Sequence, residues 1–236
     1  MEALKEKLKS FQFSWDDETK LTKEFARLAP YFISGGYIKV REDYRIYPTT
    51  VEFYFHSENE NGVHDPIVYH RNNKYVHGNL PYFPMFTLHA HDSGYDITFE
   101  NAKEGYRASV LIRAYQVWDV KHSCWLKWDT TEQQFRAYLL KDKTPINTQV
   151  WYLKYLLNGF TMGSGSLIDW IDATELIELS EKDGKPRHNV PKYEYKPEKK
   201  KFDKLIKGHN KDNKPLYEPC NRAWSFSRKE SIIDII

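Results

Sequence analysis

Cysteine is scarce in this chain: two thiols, Cys124 and Cys220, in 236 residues. One long-range disulfide is the most they could form. So small a number reads as reduced thiols in a cytoplasm rather than as the framework of a secreted scaffold. Long apolar runs are lacking too. No stretch approaches the roughly 20 apolar residues of a bilayer-spanning helix. The opening MEALKEKLKSF carries no apolar core of a secretory signal. The expectation is a soluble, cytoplasmic protein with no membrane contact. A surplus of one charge is also missing. Thirty-five Lys and Arg stand against 33 Asp and Glu, a net charge of +2. That is too mild to announce a nucleic-acid binder, although a local basic patch would suffice for one. There is no internal repeat, Walker loop, dinucleotide fingerprint after a strand, or nucleophile-elbow serine.

What the chain does have is aromatic residues, 16% of the total, including 17 Tyr and 7 Trp. Composition favours a large aromatic core with amphipathic Tyr at its edge over the other reading, a set of stacking platforms for bases or sugars. The length suits one domain without a dividing linker. The order of patterns predicts an α+β fold: a curved, mostly antiparallel sheet with flanking helices. Ala3, Leu4, Leu8 and Phe11 mark one helix face. Asp16-Asp17 can open a second helix carrying Leu21, Phe25 and Leu28, which Pro30 interrupts before Gly35-Gly36 turns the chain into strands. In TTVEFYFHS, alternation sets Val51, Phe53 and Phe55 on one face and Glu52, Tyr54 and His56 on the other. PMFTLHAH, GYDITFE and RASVLIRAYQVW read as further strands, with a turn at 101–105 before the last. EQQFRAYLL and TQVWYLKYLLNGF read as helices, TMGSGS as a break, and SLIDWIDATELIEL as another helix. Residues 181–215 read as a basic surface insertion or flexible loop within the same domain, and RAWSFSRKESI as a final strand.

Several residue groups could carry chemistry. Glu52, beside Tyr54 and His56, could serve as a general base, although the strand alone favours a place on the solvated face of an edge strand. Arg113, inside VLIRAY, must find a partner or reach the surface. It could hold an active-site carboxylate or a phosphate, or form a structural ion pair. His64, His70 and His77, with His89 and His91, invite a metal test, but their spacing matches no ligand motif, so the expectation is no metal and no cofactor. Gly163-Ser164-Gly165-Ser166 ahead of a helix could cradle a phosphate, or Ser166 could simply cap that helix.

Read together, these motifs resemble the methylpurine (alkyladenine) DNA glycosylase family in order and rough spacing. LAPYFIS, residues 28–34, resembles the family's Leu-Ala-x-x-Leu-Leu-Gly segment. Glu52-Phe53-Tyr54 resembles its Glu-Ala-Tyr motif, followed by a His, here His64. SVLIRA, residues 109–114, is similar to its Val-Leu-Ile-Arg-Ala strand. Gly163 to Leu167 resembles its Gly-Pro-Gly-Lys-Leu helix start, Pro186-Arg187 with Val190 and Tyr193 its Pro-Arg-Ile-Gly segment, and Trp224 to Phe226 its closing Trp-Arg-Phe strand. The resemblance spans residues 20–236.

It implies an enzyme that flips a damaged or modified base out of double-stranded DNA and hydrolyses its N-glycosidic bond. Glu52 would be the general base and Arg113 would hold the active-site end of its strand. Tyr54 would stack on the extruded base, and His64 would contact the flipped nucleotide. Leu88 and Thr98 would line the base pocket. His91 would lie near the wedge that fills the vacated stack, and Gly163, Ser164, Gly165, Ser166 and Arg187 would face the DNA. A non-catalytic nucleic-acid-binding protein on the same scaffold is the alternative. The chain departs from the family where His91 and Leu88 replace aromatics, Thr98 an Asn and Ser166 a Lys. These departures point away from alkylpurines, toward another lesion or a loss of catalysis.

Overall fold

The computed structural model describes residues 3–11, 14–33, 35–59, 61–63, 65, 68, 81–91 and 94–127. Beyond these it describes 152–153, 156–157, 163–167, 170–172, 184–185, 206–209, 215–217 and 222–228. The fold is α+β: a curled antiparallel sheet with helices packed on it. Two N-terminal helices, α1 (Ala3–Lys9) and α2 (Glu18–Ile33), come first. The Asp17 carboxylate accepts the Lys20 amide at 3.0 Å and so caps α2, as the Asp16-Asp17 pair suggested. Pro30 does not interrupt this helix. It sits in the last turn, where the missing N–H forfeits a single intrahelical bond. At Gly35 the chain passes so close to the Tyr31 backbone that a Cβ would collide with it.

The strands are β1 (Gly36–Val40), β2 (Tyr44–Ser57), β3 (Thr87–His91), β4 (Gly94–Thr98), β5 (Tyr106–Asp119), β6 (Cys124–Trp125), β7 (Gly163–Leu167) and β8 (Trp170–Asp172), followed by β9 (Ile206–His209), β10 (Pro215–Tyr217) and β11 (Ser225–Ser227). The large sheet runs β7-β3-β4-β5-β2-β1-β8, with β11 also paired to β2 and β6 to β5; β9 and β10 form a separate hairpin. Two expectations fail here. The Gly163–Ser166 segment is not a helix start, because it is a strand laid antiparallel on β3. Nor does SLIDWID begin a helix: Trp170–Asp172 pairs with β1, Ile171 opposite Tyr37. Gly-Ser runs have little preference of their own, and here the open edge of β3 decides. Of the expected 148–160 helix, residues 152–153 and 156–157 are described and are helical. The expected helix over EQQFRAYLL lies outside the described residues.

β2 and β5 are the spine of the sheet, 14 residues each and paired along their whole length. Their register runs Pro48↔Tyr115, Thr50↔Ala114, Val51↔Ile112. Each strand therefore carries one extra residue, Thr49 in β2 and Arg113 in β5. A single bulge would throw one strand's side chains onto the wrong face; two opposed bulges keep both strands in phase. One face stays apolar from end to end, with Ile46, Val51, Phe53 and Phe55 on β2 and Ala108, Val110, Ile112 and Val117 on β5, all buried. α2 seals it. The Phe25 ring stacks on Phe53 at 4.6 Å and meets Trp224 edge-on at 4.9 Å. The Trp224 indole N–H donates to Thr22 Oγ1 at 2.8 Å.

Candidate functional site

The opposite face of the same sheet is polar and, over much of its length, buried. Residues directly opposite in a ladder project to the same side. Ser225, Glu52, Leu111, Asp96 and His89 therefore form one row across β11, β2, β5, β4 and β3. Tyr54, Ser109, Thr98 and Thr87 form the next row, and His56 and Arg107 the one beyond.

At the centre sits Glu52, with no accessible surface. Its Oε2 accepts two hydrogen bonds, from Arg113 Nε at 2.6 Å and from the Tyr54 hydroxyl at 3.0 Å. Three residues up to 61 positions apart thus meet on one oxygen, Arg113 reaching it from the bulge of β5. Burial works against the charge on Arg113, but Tyr54 and Glu52 outweigh it and hold the guanidinium proton more firmly than in an ordinary arginine. Tyr54 packs with Val68 and Leu111 in a small apolar cluster separate from the main core. The arrangement is a fixed buried anion, an aromatic ring and a lining of aliphatic side chains.

A second charged group lies two rows away. His56 Nδ1 accepts the Asp65 amide at 3.2 Å, and the fully buried Asp65 carboxylate lies 3.9 Å from Arg222 Nη1. Arg222 also donates from Nε to Glu18 at 2.9 Å. A third group surrounds Arg107, which has no exposed side-chain surface. It donates to Glu58 at 3.0 Å, to Glu100 at 3.1 Å and to the Pro81 carbonyl at 2.9 Å, and its guanidinium lies 3.8 Å from the centre of the Tyr82 ring. The sequence reading missed Arg107, Asp65 and Arg222. Arg107 was findable: it stands at even spacing from Arg113 along β5 and opposite His56.

The other residues singled out from the sequence fare differently. Leu88 does not join Glu52. It pairs with Ile97, which pairs with Val110, so it points into the apolar core on the far side of the sheet. Thr98 is on the Glu52 side, but its hydroxyl is engaged by the Pro84 and Thr87 carbonyls at 3.0 and 3.1 Å. It ties the start of β3 to β4, in a place where a pocket Asn was expected to be replaced. His91 ends β3 opposite Gly94, and its side chain lies outside the described residues, as do His64 and Arg187. Gly163, Ser164 and Ser166 pair with Ala90, His89 and Leu88, and Gly165 falls at the irregularity between them, so no helix N-terminus gathers their amides around an anion. The buried His89 ring lies tilted against Phe83, 4.6 Å between centroids. Among the described residues, no group of three or more His, Cys, Asp or Glu is placed to hold a metal ion.

No family model, curated protein or solved structure matches this chain.

Proposed function

We propose that this chain is a DNA N-glycosylase-like enzyme that takes a damaged or modified base out of double-stranded DNA and hydrolyses its glycosidic bond, with Glu52 as general base. The observation that carries the reading is the meeting of Arg113 and Tyr54 on one oxygen of Glu52. Breaking an N-glycosidic bond builds positive charge on the sugar. A carboxylate held in place by a guanidinium can stabilise that charge without reorganising, and it can orient the attacking water. Tyr54 offers a ring for the extruded base, and Leu111 and Val68 keep the surroundings dry. Arg113 is a positioning residue here: it holds the carboxylate with its guanidinium. The proposal includes a cytoplasmic location, where the exposed Cys124 stays a thiol. Among the described residues no helix is long and apolar enough to cross a membrane.

The test is base release from a panel of duplexes carrying methylated, deaminated and oxidised bases, read by alkaline cleavage of the abasic product. Glu52→Gln keeps the shape and should lower turnover by about 10² to 10⁴. Lesion-duplex binding should survive in that variant and weaken with salt as phosphate contacts release counterions. Full activity in Glu52→Gln removes Glu52 from the chemistry. One observation favours the second reading, a non-catalytic nucleic-acid-binding protein: Glu52 has no accessible surface, which is how a structural ion pair looks. Salt-sensitive DNA binding with no base released from any duplex selects that reading.

A further inference from the structure

Beyond the double bulge the polar face changes character. Where it carries charge around Glu52, it carries rings at the other end of the sheet. Tyr37 of β1 meets Tyr47 of β2 at 5.1 Å between centroids; Tyr47 meets Trp125 of β6 at 5.1 Å; Trp125 meets Trp118 of β5 at 5.2 Å. All four are half-buried, so each keeps part of its surface toward solvent. The Arg45 guanidinium lies over the Tyr37 ring, 5.1 Å from its centre, extending the strip with a planar cation. Beside the strip opens a cavity of about 200 Å³. Its charged lining is Lys39, Arg41 and Arg45 against one carboxylate, Glu42.

We propose that this strip and cavity bind single-stranded nucleic acid, the bases stacking along Tyr37, Tyr47, Trp125 and Trp118 and the phosphates held by Lys39, Arg41 and Arg45. Two observations converge on that occupant. A core needs no half-exposed row of four rings, whereas every base has a face that stacks on one. The three cations at the end of the row select an anionic polymer over a neutral glycan, which would also use flat aromatic faces. Lys39 is held by Glu42 at 2.6 Å, and Arg41 lies 3.7 Å from Asp43. These are exposed pairs of little strength, which a phosphate can displace. The inference does not rest on base excision at Glu52. If both hold, Glu52 stands on the same face of β2, five residues or about 17 Å from Tyr47, and the strip would receive nucleotides displaced from the duplex beside the flipped base.

The test is fluorescence anisotropy of the full chain with a labelled oligothymidylate of about 12 nucleotides, within the range of single-strand sites, at low salt. Binding should weaken as salt rises and should quench tryptophan emission. Tyr47→Ala and Trp125→Ala should each weaken it by about 5- to 100-fold, while Trp125→Phe, which keeps a ring, should retain most of the affinity. Since these side chains are half-buried, thermal unfolding of each variant is followed in parallel. The double reversal Lys39→Glu/Arg45→Glu gives a second arm, which should lower the affinity and flatten its salt dependence. The proposal is overturned by failure of the wild type to bind at low salt, or by unchanged affinity in the charge-reversed chain. It is equally overturned by tighter binding of a neutral oligosaccharide, or by a concentration-dependent dimer that the charge reversal dissolves. Base release at Glu52 is scored separately, so either result can fail alone.

Discussion

At the scale of single residues, Arg113 does two things at once. As the extra residue of its strand it keeps β5 in phase with β2, and as a cation it neutralises Glu52. A carboxylate with no accessible surface needs such a partner to offset the water it has lost. Replacing Arg113 by Leu should therefore destabilise the fold by about 3 to 5 kcal/mol, because a buried charge is left behind. Adding Glu52→Gln removes that charge, and the double variant should recover a large part of the loss. Urea unfolding of the wild type, both single variants and the double closes the cycle. Strict additivity would mean that the two side chains are not coupled in the folded chain.

At the scale of elements, the sheet is held to its helix by rings more than by bulk. Phe53 alone is stacked by Phe25 and struck edge-on by Phe32 at 5.8 Å and Phe226 at 5.7 Å. Phe53→Ala should cost about 3 to 5 kcal/mol and loosen α2 and β11 together, measured as faster amide exchange in both. Exchange that rises in only one of them would show that Phe53 does not couple the two. The same elements show how far alternation can be read. TTVEFYFHS and RASVLIRAYQVW revealed both faces of the spine, since a period of two with large apolar residues has one meaning in a strand. Gly163–Leu167 and Trp170–Asp172 did not read as strands. A Gly-Ser run and a stretch with apolar residues at mixed spacing take their form from the edges they pair with, β3 and β1.

For the molecule as a whole, Tyr106 makes stability depend on pH at the alkaline end. It is buried at the start of β5 and stacked on Phe55 at 5.4 Å. Burial pushes its hydroxyl up to about 12, against a hydrogen bond with Asn101 that pulls it down. The ordinary value is about 10, so the unfolded chain loses this proton first. The contribution is complete below pH 10 and disappears as pH rises toward 12, on the order of 3 kcal/mol in total. Unfolding free energies measured across that window should fall less steeply in Tyr106→Phe; an identical slope would rule Tyr106 out as the source. The long-range layout was the least legible part of the chain. Alternation put Glu52 and Tyr54 on one face and a buried arginine needed an anion, but only the family resemblance placed Arg113 beside them. The ring strip did not follow, because Tyr37, Tyr47, Trp118 and Trp125 come from four strands and only pairing puts them side by side. Leu88 was misjudged because one residue of register decides which side of a sheet a side chain serves.

The two opposed bulges behave like a frameshift and its suppressor. Delete Thr49 alone, and every side chain of β2 on one side of the cut changes sides, carrying Glu52 toward the core or Tyr47 away from its ring neighbours. Delete Arg113 alone, and β5 suffers the mirror fault. Delete both, and the ladder closes flush, Pro48↔Tyr115, Thr50↔Ala114 and Val51↔Ile112 now following one another without a gap. Each single deletion should yield a chain that does not fold, and the double deletion one that does, lacking only the Glu52 counterion. Circular dichroism of the three variants reads the outcome. The consequence reaches lineage as well as structure: in this spine, a lost codon in one strand can be tolerated only where the other strand has lost one too.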